Sequence, residues 1–173
     1  PSFRLWLTTE PHPNFPVILL QQSLKITYES PPGVKANMLR TFDSWDDAFF
    51  SQGTVARSQC LFALAWFHAI IEERRNYIPQ GFTKFYEFSF ADLRSGADII
   101  SAIFASNTKT GNSKLPWTTI WGLLEFAVYG GRIDNEQDVR VLVTYLHKYF
   151  TSNSLSEGSS APKLALAPHF ELV

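Results

Sequence analysis

The sequence predicts a mainly α-helical chain, a bundle of about five helices preceded by two short strands. Two observations of pattern and one of composition carry that expectation. Apolar residues alternate in the stretches 3–9 and 24–28, and after Pro31-Pro32-Gly33 the period lengthens from two to about 3.6. Hydrophobic residues make up 45% and charged residues 18% of the 173 residues, enough apolar surface for a packed core and too much for global disorder.

Phe3, Leu5 and Leu7 share one face of a stretch that closes on Thr8 and Thr9, the pattern of a buried strand with an exposed tip. Pro11, Pro13 and Pro16 break the next stretch, leaving room for a short helical turn from Val17 to Gln21. Residues 24–28 alternate again. Two strands alone do not make a stable sheet, so they read as the end of a larger sheet and the chain as a piece of a longer polypeptide.

In the helical part, Met38, Phe42, Trp45 and Phe49 fall on one face. The next helix, Val55 to Tyr77, is apolar nearly all round from Cys60 to Ile71, which makes it the expected central element. Glu72-Glu73-Arg74-Arg75 reads as its solvated end, with the arginines complementing the helix dipole. Ser89 and Asp92 have capping-box spacing and open a helix with the stripe Leu93, Ala97, Ile100 and Phe104. Residues 106–114 read as a polar loop. Pro116 starts a fourth helix carrying Trp117, Ile120, Trp121 and Leu124, which Gly130-Gly131 ends. Asp134 with Gln137 is the expected cap of a fifth helix, bearing Val139, Leu142, Val143, Leu146 and Phe150. The Ser- and Gly-rich residues 151–163 read as a linker.

The net charge of -1 gives no electrostatic footprint for a nucleic acid or an acidic membrane surface. Fifteen Phe, six Tyr and five Trp suit thick cores and large interfaces. The single Cys60 cannot form an internal disulfide, which fits a reducing compartment. No Gly-x-x-x-x-Gly-Lys-Ser/Thr phosphate loop occurs, and Gly130-Gly131-Arg132 follows a helix and lacks the lysine and hydroxyl. His12, His68, His147 and His169 have no metal-ligand spacing; His68 reads as a hydrogen-bonded core histidine and Cys60 as an inert buried thiol. No catalytic residue and no metal ligand is expected.

Several words of the sequence nevertheless occur in a specific order. Phe3 to Gln21 resembles the late-strand segment of the sixth AAA+ module of dynein heavy chains, and Glu29 to Phe42 resembles the junction into that module's helical lid. Phe62 to Arg74, Tyr86-Glu87-Phe88, Asp92-Leu93-Arg94 and Tyr129 to Asp134 follow in the family's order, so the resemblance covers about residues 1–151. The stretch 75–88 is more similar to the ciliary, intraflagellar-transport cytoplasmic branch than to axonal members. The resemblance implies three parts: 1–30 as the end of an AAA+ α/β subdomain, 31–151 as a helical AAA+ lid, and 152–173 as a linker towards the C-terminal region.

The resemblance also implies roles. Thr8 and Thr9 match a sensor position facing a γ-phosphate, and Arg94 matches a lid sensor arginine; pairing with a neighbouring carboxylate is the plainer alternative for Arg94. Gln21 and Gln22 stand where such a module offers an arginine finger, and glutamine has no fixed positive charge to stabilise a phosphoryl-transfer transition state. Arg132 is implied as an interface arginine. ATP and Mg would belong to other modules of the parent. The implied function is a non-hydrolysing ring segment of an ATP-driven, minus-end-directed microtubule motor in the cytoplasm, cytoskeleton and cilium. Its implied partners are neighbouring AAA+ modules and, through the parent, microtubules and dynein subunits. A free-standing helical adaptor domain is the alternative.

Overall fold

The computed structural model describes residues 3–10, 12–26, 29–110, 115–152, 165–167 and 170–171. Its described residues are mainly helical: α1 Val17–Gln22, α2 Val34–Ser44, α3 Asp47–Ser51, α4 Val55–Arg74, α5 Phe90–Thr110, α6 Trp117–Gly122 and α7 Glu136–Tyr149. A π-helical stretch, Leu123–Tyr129, and a 3-10 turn, Gly130–Arg132, continue α6. Two short antiparallel strands near the end, β1 Ala165–Ala167 and β2 Phe170–Glu171, pair Ala165 with Glu171 and Ala167 with Phe170.

The helix α4 is the hub. Leu61, Leu64, Ala65, Phe67 and Ile71 are fully buried, and Cys60, Ala63 and Ala69 nearly so. Large side chains buried this way contribute roughly 1.5–3 kcal/mol each. Helices α2, α5 and α7 pack around it. The stripe Leu93, Ala97, Ile100 and Phe104 on α5 is buried as its spacing predicts, as are Ile120, Leu124, Leu142, Leu146 and Phe150 from the two later helices. Trp66, Trp117 and Trp121 are half-buried at the edge of this core.

Local chemistry sets the helix starts. The Thr54 side chain accepts from Arg57 N–H at the head of α4, and Asp46 accepts from Phe49 N–H at the head of α3. Each such cap contributes about 1 kcal/mol. At α5 the Asp92 carboxylate reaches back to accept from the Ser89 N–H at 2.8 Å, the return half of the predicted capping box.

Several expectations are corrected. Residues 3–9 form no strand and residues 24–26 none either; Thr27 and Tyr28, the rest of the second expected strand, lie outside the described residues. The alternating pattern is real, but a strand exists only by hydrogen bonding to a neighbour. The face Met38–Phe42–Trp45–Phe49 is divided between α2 and α3, because the chain turns at Trp45 and restarts at Asp46. The long helix stops at Arg74 rather than Tyr77. The expected polar loop begins as helix, since α5 runs on to Thr110; residues 111–114 lie outside the described residues, as do 153–163 of the expected linker. The cap of α7 is Asn135, which accepts from Gln137 N–H, and not Asp134. Asp134 instead accepts from Lys84 Nζ at 2.9 Å.

The fourth helix ends as foreseen at Gly130, by an unforeseen route. The Gly130 N–H donates to Glu125 O, five residues back, closing the π-helical stretch. A Cβ on Gly130 would lie 2.1 Å from that oxygen, so only glycine closes this turn. The extra residue per turn brings Tyr129 fully inside, while Phe126 stays largely exposed.

Candidate functional site

Before α2 the chain presents a ribbon of apolar side chains that nothing in the described chain covers. Phe3, Leu5, Trp6 and Leu7, then Val17 and Ile18, then Leu24 and Ile26 are all more than half exposed, up to 88% at Leu24. An apolar ribbon left uncovered in this way marks an interface. Thr8 and Thr9 lie on it, exposed, the Thr9 hydroxyl donating to Glu10 O. Gln21 and Gln22 end α1, also exposed.

Where the ribbon joins the bundle, the junction Glu29–Gly33 is gripped by side chains from two helices. From α4, Glu72 accepts from the Ser30 hydroxyl and Glu73 Oε2 accepts from Gly33 N–H at 2.9 Å. From α2, Asn37 Nδ2 donates to Pro31 O at 2.8 Å and to Gly33 O at 3.1 Å, and Arg40 Nη1 donates to Glu29 O at 3.3 Å. Gly33 has φ +90, a left-handed conformation that favours glycine, and it starts α2. The expected solvated helix end is therefore half wrong. Glu72 is 4% exposed, and burial holds its carboxyl above the usual carboxylate range against the pull of Ser30, Arg75 and Arg40.

Behind Glu72 a polar chain continues inward. His68 Nε2 lies 3.6 Å from Glu72 Oε1, and His68 Nδ1 is 3.2 Å from the Tyr129 hydroxyl. Burial lowers the His68 pKa to about 3, so the imidazole is neutral near pH 7 and the contact with Glu72 is not an ion pair. Burial likewise raises the Tyr129 phenol well above its ordinary value, with Asp92 and Glu72 adding to the shift. His68 is thus the hydrogen-bonded core histidine its position predicts. Cys60 is buried and its thiol is pushed up to about 12 by desolvation, which makes it inert.

The Tyr129–Arg132 turn ends beside this chain. Arg132 Nη2 donates to Asp92 Oδ1 at 2.7 Å, joining the turn to the first turn of α5. Arg94, two residues further along α5, is exposed and makes no ion pair or hydrogen bond among the described residues, so the plainer expectation of a carboxylate partner does not hold. It borders a groove that includes Trp45, Asp46, Phe49, Phe90 and Asp98. No hydrogen bond brings Thr8, Thr9 and Arg94 together among the described residues. The described residues also contain no His, Cys, Asp or Glu cluster able to hold a metal, and no helix long and apolar enough to cross a membrane.

Sequence reading missed Ser30, Gly33 and Asn37, and took Glu72 and Glu73 for solvated groups. A signal was present. Two acids in the last turn of a helix oppose its dipole, and Glu72 stands four residues after a histidine in an apolar run.

Comparison with known proteins sets this geometry in a lineage. The profile of the dynein heavy chain AAA lid domain matches residues 57–169, and that of the dynein heavy chain region D6 P-loop domain matches residues 1–27. The chain is 56% identical over 168 residues to the cytoplasmic dynein 2 heavy chain 1 of Tripneustes gratilla, covering 96% of this chain. It is 53% identical to the Homo sapiens protein of that name over 97% of this chain, and 48% identical to that of Chlamydomonas reinhardtii over 99%. In each case the chain spans only 4% of the relative's length. The ribbon thus falls within the match to one domain and the bundle from Arg57 onward within the match to the other, with the gripped junction, α2 and α3 between them, and the chain belongs to the dynein heavy chain family.

Proposed function

We propose that this chain is a relaying segment of a motor ring: the helical lid of the sixth AAA+ module of a dynein heavy chain, with the end of that module's α/β subdomain attached. In this reading the ribbon of residues 3–26 completes a sheet supplied by the preceding polypeptide, which covers Phe3, Leu5, Trp6 and Leu7. The observation that carries the reading is that ribbon: a run of uncovered apolar side chains, matched to the P-loop domain of region D6, and followed by a junction, Glu29–Gly33, that five side-chain hydrogen bonds fix to a bundle matched to the lid from Arg57 onward. Rigid modules joined by such packed interfaces pass discrete rearrangements from one to the next. The parent is then an ATP-driven, minus-end-directed microtubule motor of the cytoplasm and cytoskeleton, and its kinship to cytoplasmic dynein 2 heavy chains favours the cilium. Neighbouring AAA+ modules of the same polypeptide are its immediate partners.

Hydrolysis belongs to other modules in this reading. The chain has no phosphate loop to hold a nucleotide opposite Arg94, and Gln21 and Gln22 offer no cation to a neighbouring site. Arg94 and Arg132 then serve interfaces. Titration calorimetry of the 173-residue chain with Mg-ATP is expected to give no saturable heat; one tight site would overturn the assignment of a passive lid. For the parent, a tagged polypeptide carrying this sequence is expected to pellet from cell extract with microtubules and to be released by ATP. A small soluble protein indifferent to both would establish a free-standing adaptor instead.

A further inference from the structure

We propose that Glu72 and Glu73 form a clasp that fixes how the junction Glu29–Gly33 leaves the bundle, and that Ser30, Glu72, His68 and Tyr129 carry a displacement of that junction to the Tyr129–Arg132 turn. The clasp stands on this chain's geometry alone; its use in a motor rests on the function proposed above.

The two carboxylates hold the junction at two points, Ser30 and Gly33. A single hydrogen bond would be a pivot, whereas two grips fix both position and direction. Between them lie Pro31 and Pro32, whose rings lock φ and whose nitrogens carry no hydrogen, so the span is a stiff bar. Arg40 steadies its outer end at Glu29 O, and Asn37 binds the Pro31 and Gly33 carbonyls. A tilt of the upstream segment therefore moves Ser30 and Gly33 together.

The response is not confined to the junction. Glu72 is buried, and Ser30 is the donor that satisfies it from outside the helix. When Ser30 leaves, the carboxylate faces the neutral imidazole of His68 at 3.6 Å, a buried acceptor short of a donor. The imidazole must then turn an N–H towards Glu72, and its other nitrogen changes what it offers to the Tyr129 hydroxyl. Tyr129 immediately precedes Gly130, where backbone crowding leaves no slack, and Arg132 closes the turn onto α5. The path has two discrete arrangements rather than a continuous range.

Spin labels on Lys25→Cys and Ser95→Cys, both at exposed positions, report the angle between segment and bundle; Cys60 is buried and stays unlabelled. The clasp predicts one narrow distance distribution, broadened by Glu73→Ala and restored by Glu73→Gln, whose amide oxygen still accepts from Gly33 N–H. A distribution as narrow in Glu73→Ala as in the parent chain would overturn the clasp. The relay predicts that Ser30→Ala shifts the His68 ring nitrogen resonances, which a purely local grip would leave in place; unmoved resonances would overturn the relay. In the full heavy chain, Ser30→Ala with Glu73→Ala is expected to leave basal ATP turnover unchanged and to cut its stimulation by microtubules several-fold. Full stimulation would remove the clasp from the motor cycle. Absence of stimulation in the unaltered heavy chain would overturn the motor reading instead, leaving the distance and resonance measurements to decide the clasp.

Discussion

Replacing Phe67 with alanine is expected to cost roughly 3–5 kcal/mol, a large share of the stability of a domain this size. Phe67 is fully buried, and its ring meets Tyr129 edge-on at 5.1 Å and Phe150 at 6.3 Å, so it ties α4 to the π-helical stretch and to the end of α7. Its removal leaves a cavity between three elements that cannot all close in at once. Trp66, the adjacent and larger ring, is half-buried, packs against the outside of the core and meets the Tyr149 hydroxyl. Trp66→Ala should therefore cost less than half as much, although size alone would rank the two the other way. Urea unfolding followed by far-ultraviolet dichroism orders them, with Phe67→Leu as a milder variant should Phe67→Ala fail to fold. Equal losses at 66 and 67 would mean that the core extends to the outer face of α4.

That contrast shows what could be read from the sequence and what could not. The helical elements were legible because their apolar stripes depend on residues three and four apart, and Leu93, Ala97, Ile100 and Phe104 are buried together as their spacing requires. Which side of α4 is most deeply buried was not legible, since a helix apolar all round carries no phase. The strands failed for a different reason. Alternation at Phe3, Leu5 and Leu7 specifies a face, but the hydrogen-bonding partner of a strand is not encoded within it.

The junction was the least legible part. Ser30 and Glu72 are 42 residues apart and Gly33 and Glu73 are 40, and no local period links such pairs. The words that carried the family resemblance ran through both ends of the contact, Glu29 to Phe42 and Phe62 to Arg74, without indicating that they touch. Arg94 was placed by the resemblance at a lid sensor position, but its lack of a carboxylate partner among the described residues depends on where Asp46 and Asp98 fall around the groove.

Stability is expected to fall as pH drops below about 6.5, and His68 to be the cause. Its folded pKa is lowered to about 3 by burial, while in the unfolded chain it titrates near 6.5. Between those values the unfolded state binds a proton that the folded state refuses, so the stabilising contribution is complete above 6.5 and declines steadily towards 3. At about 1.4 kcal/mol per pH unit, the ceiling is on the order of 5 kcal/mol, enough to unfold a domain of ordinary stability. Glu72 acts in the opposite sense. Its folded pKa is raised, so its protonation favours the folded state as pH falls towards the usual carboxylate range and partly offsets His68 there. Asp138 acts in the same sense as His68 but only at lower pH. Burial pushes its carboxyl up, but hydrogen bonds from Thr83 and Tyr86 outweigh burial and hold it below the ordinary value, so its contribution is lost in the acid range. The three are separated by a single substitution. His68→Gln can offer an N–H towards Glu72 and an oxygen to the Tyr129 hydroxyl, but takes up no proton. Its unfolding free energy, measured by urea titration at half-unit steps from pH 7.5 to 5, should be nearly flat where that of the unaltered chain falls. Parallel curves for the two would place the pH dependence elsewhere and would mean that His68 can be protonated without opening the core.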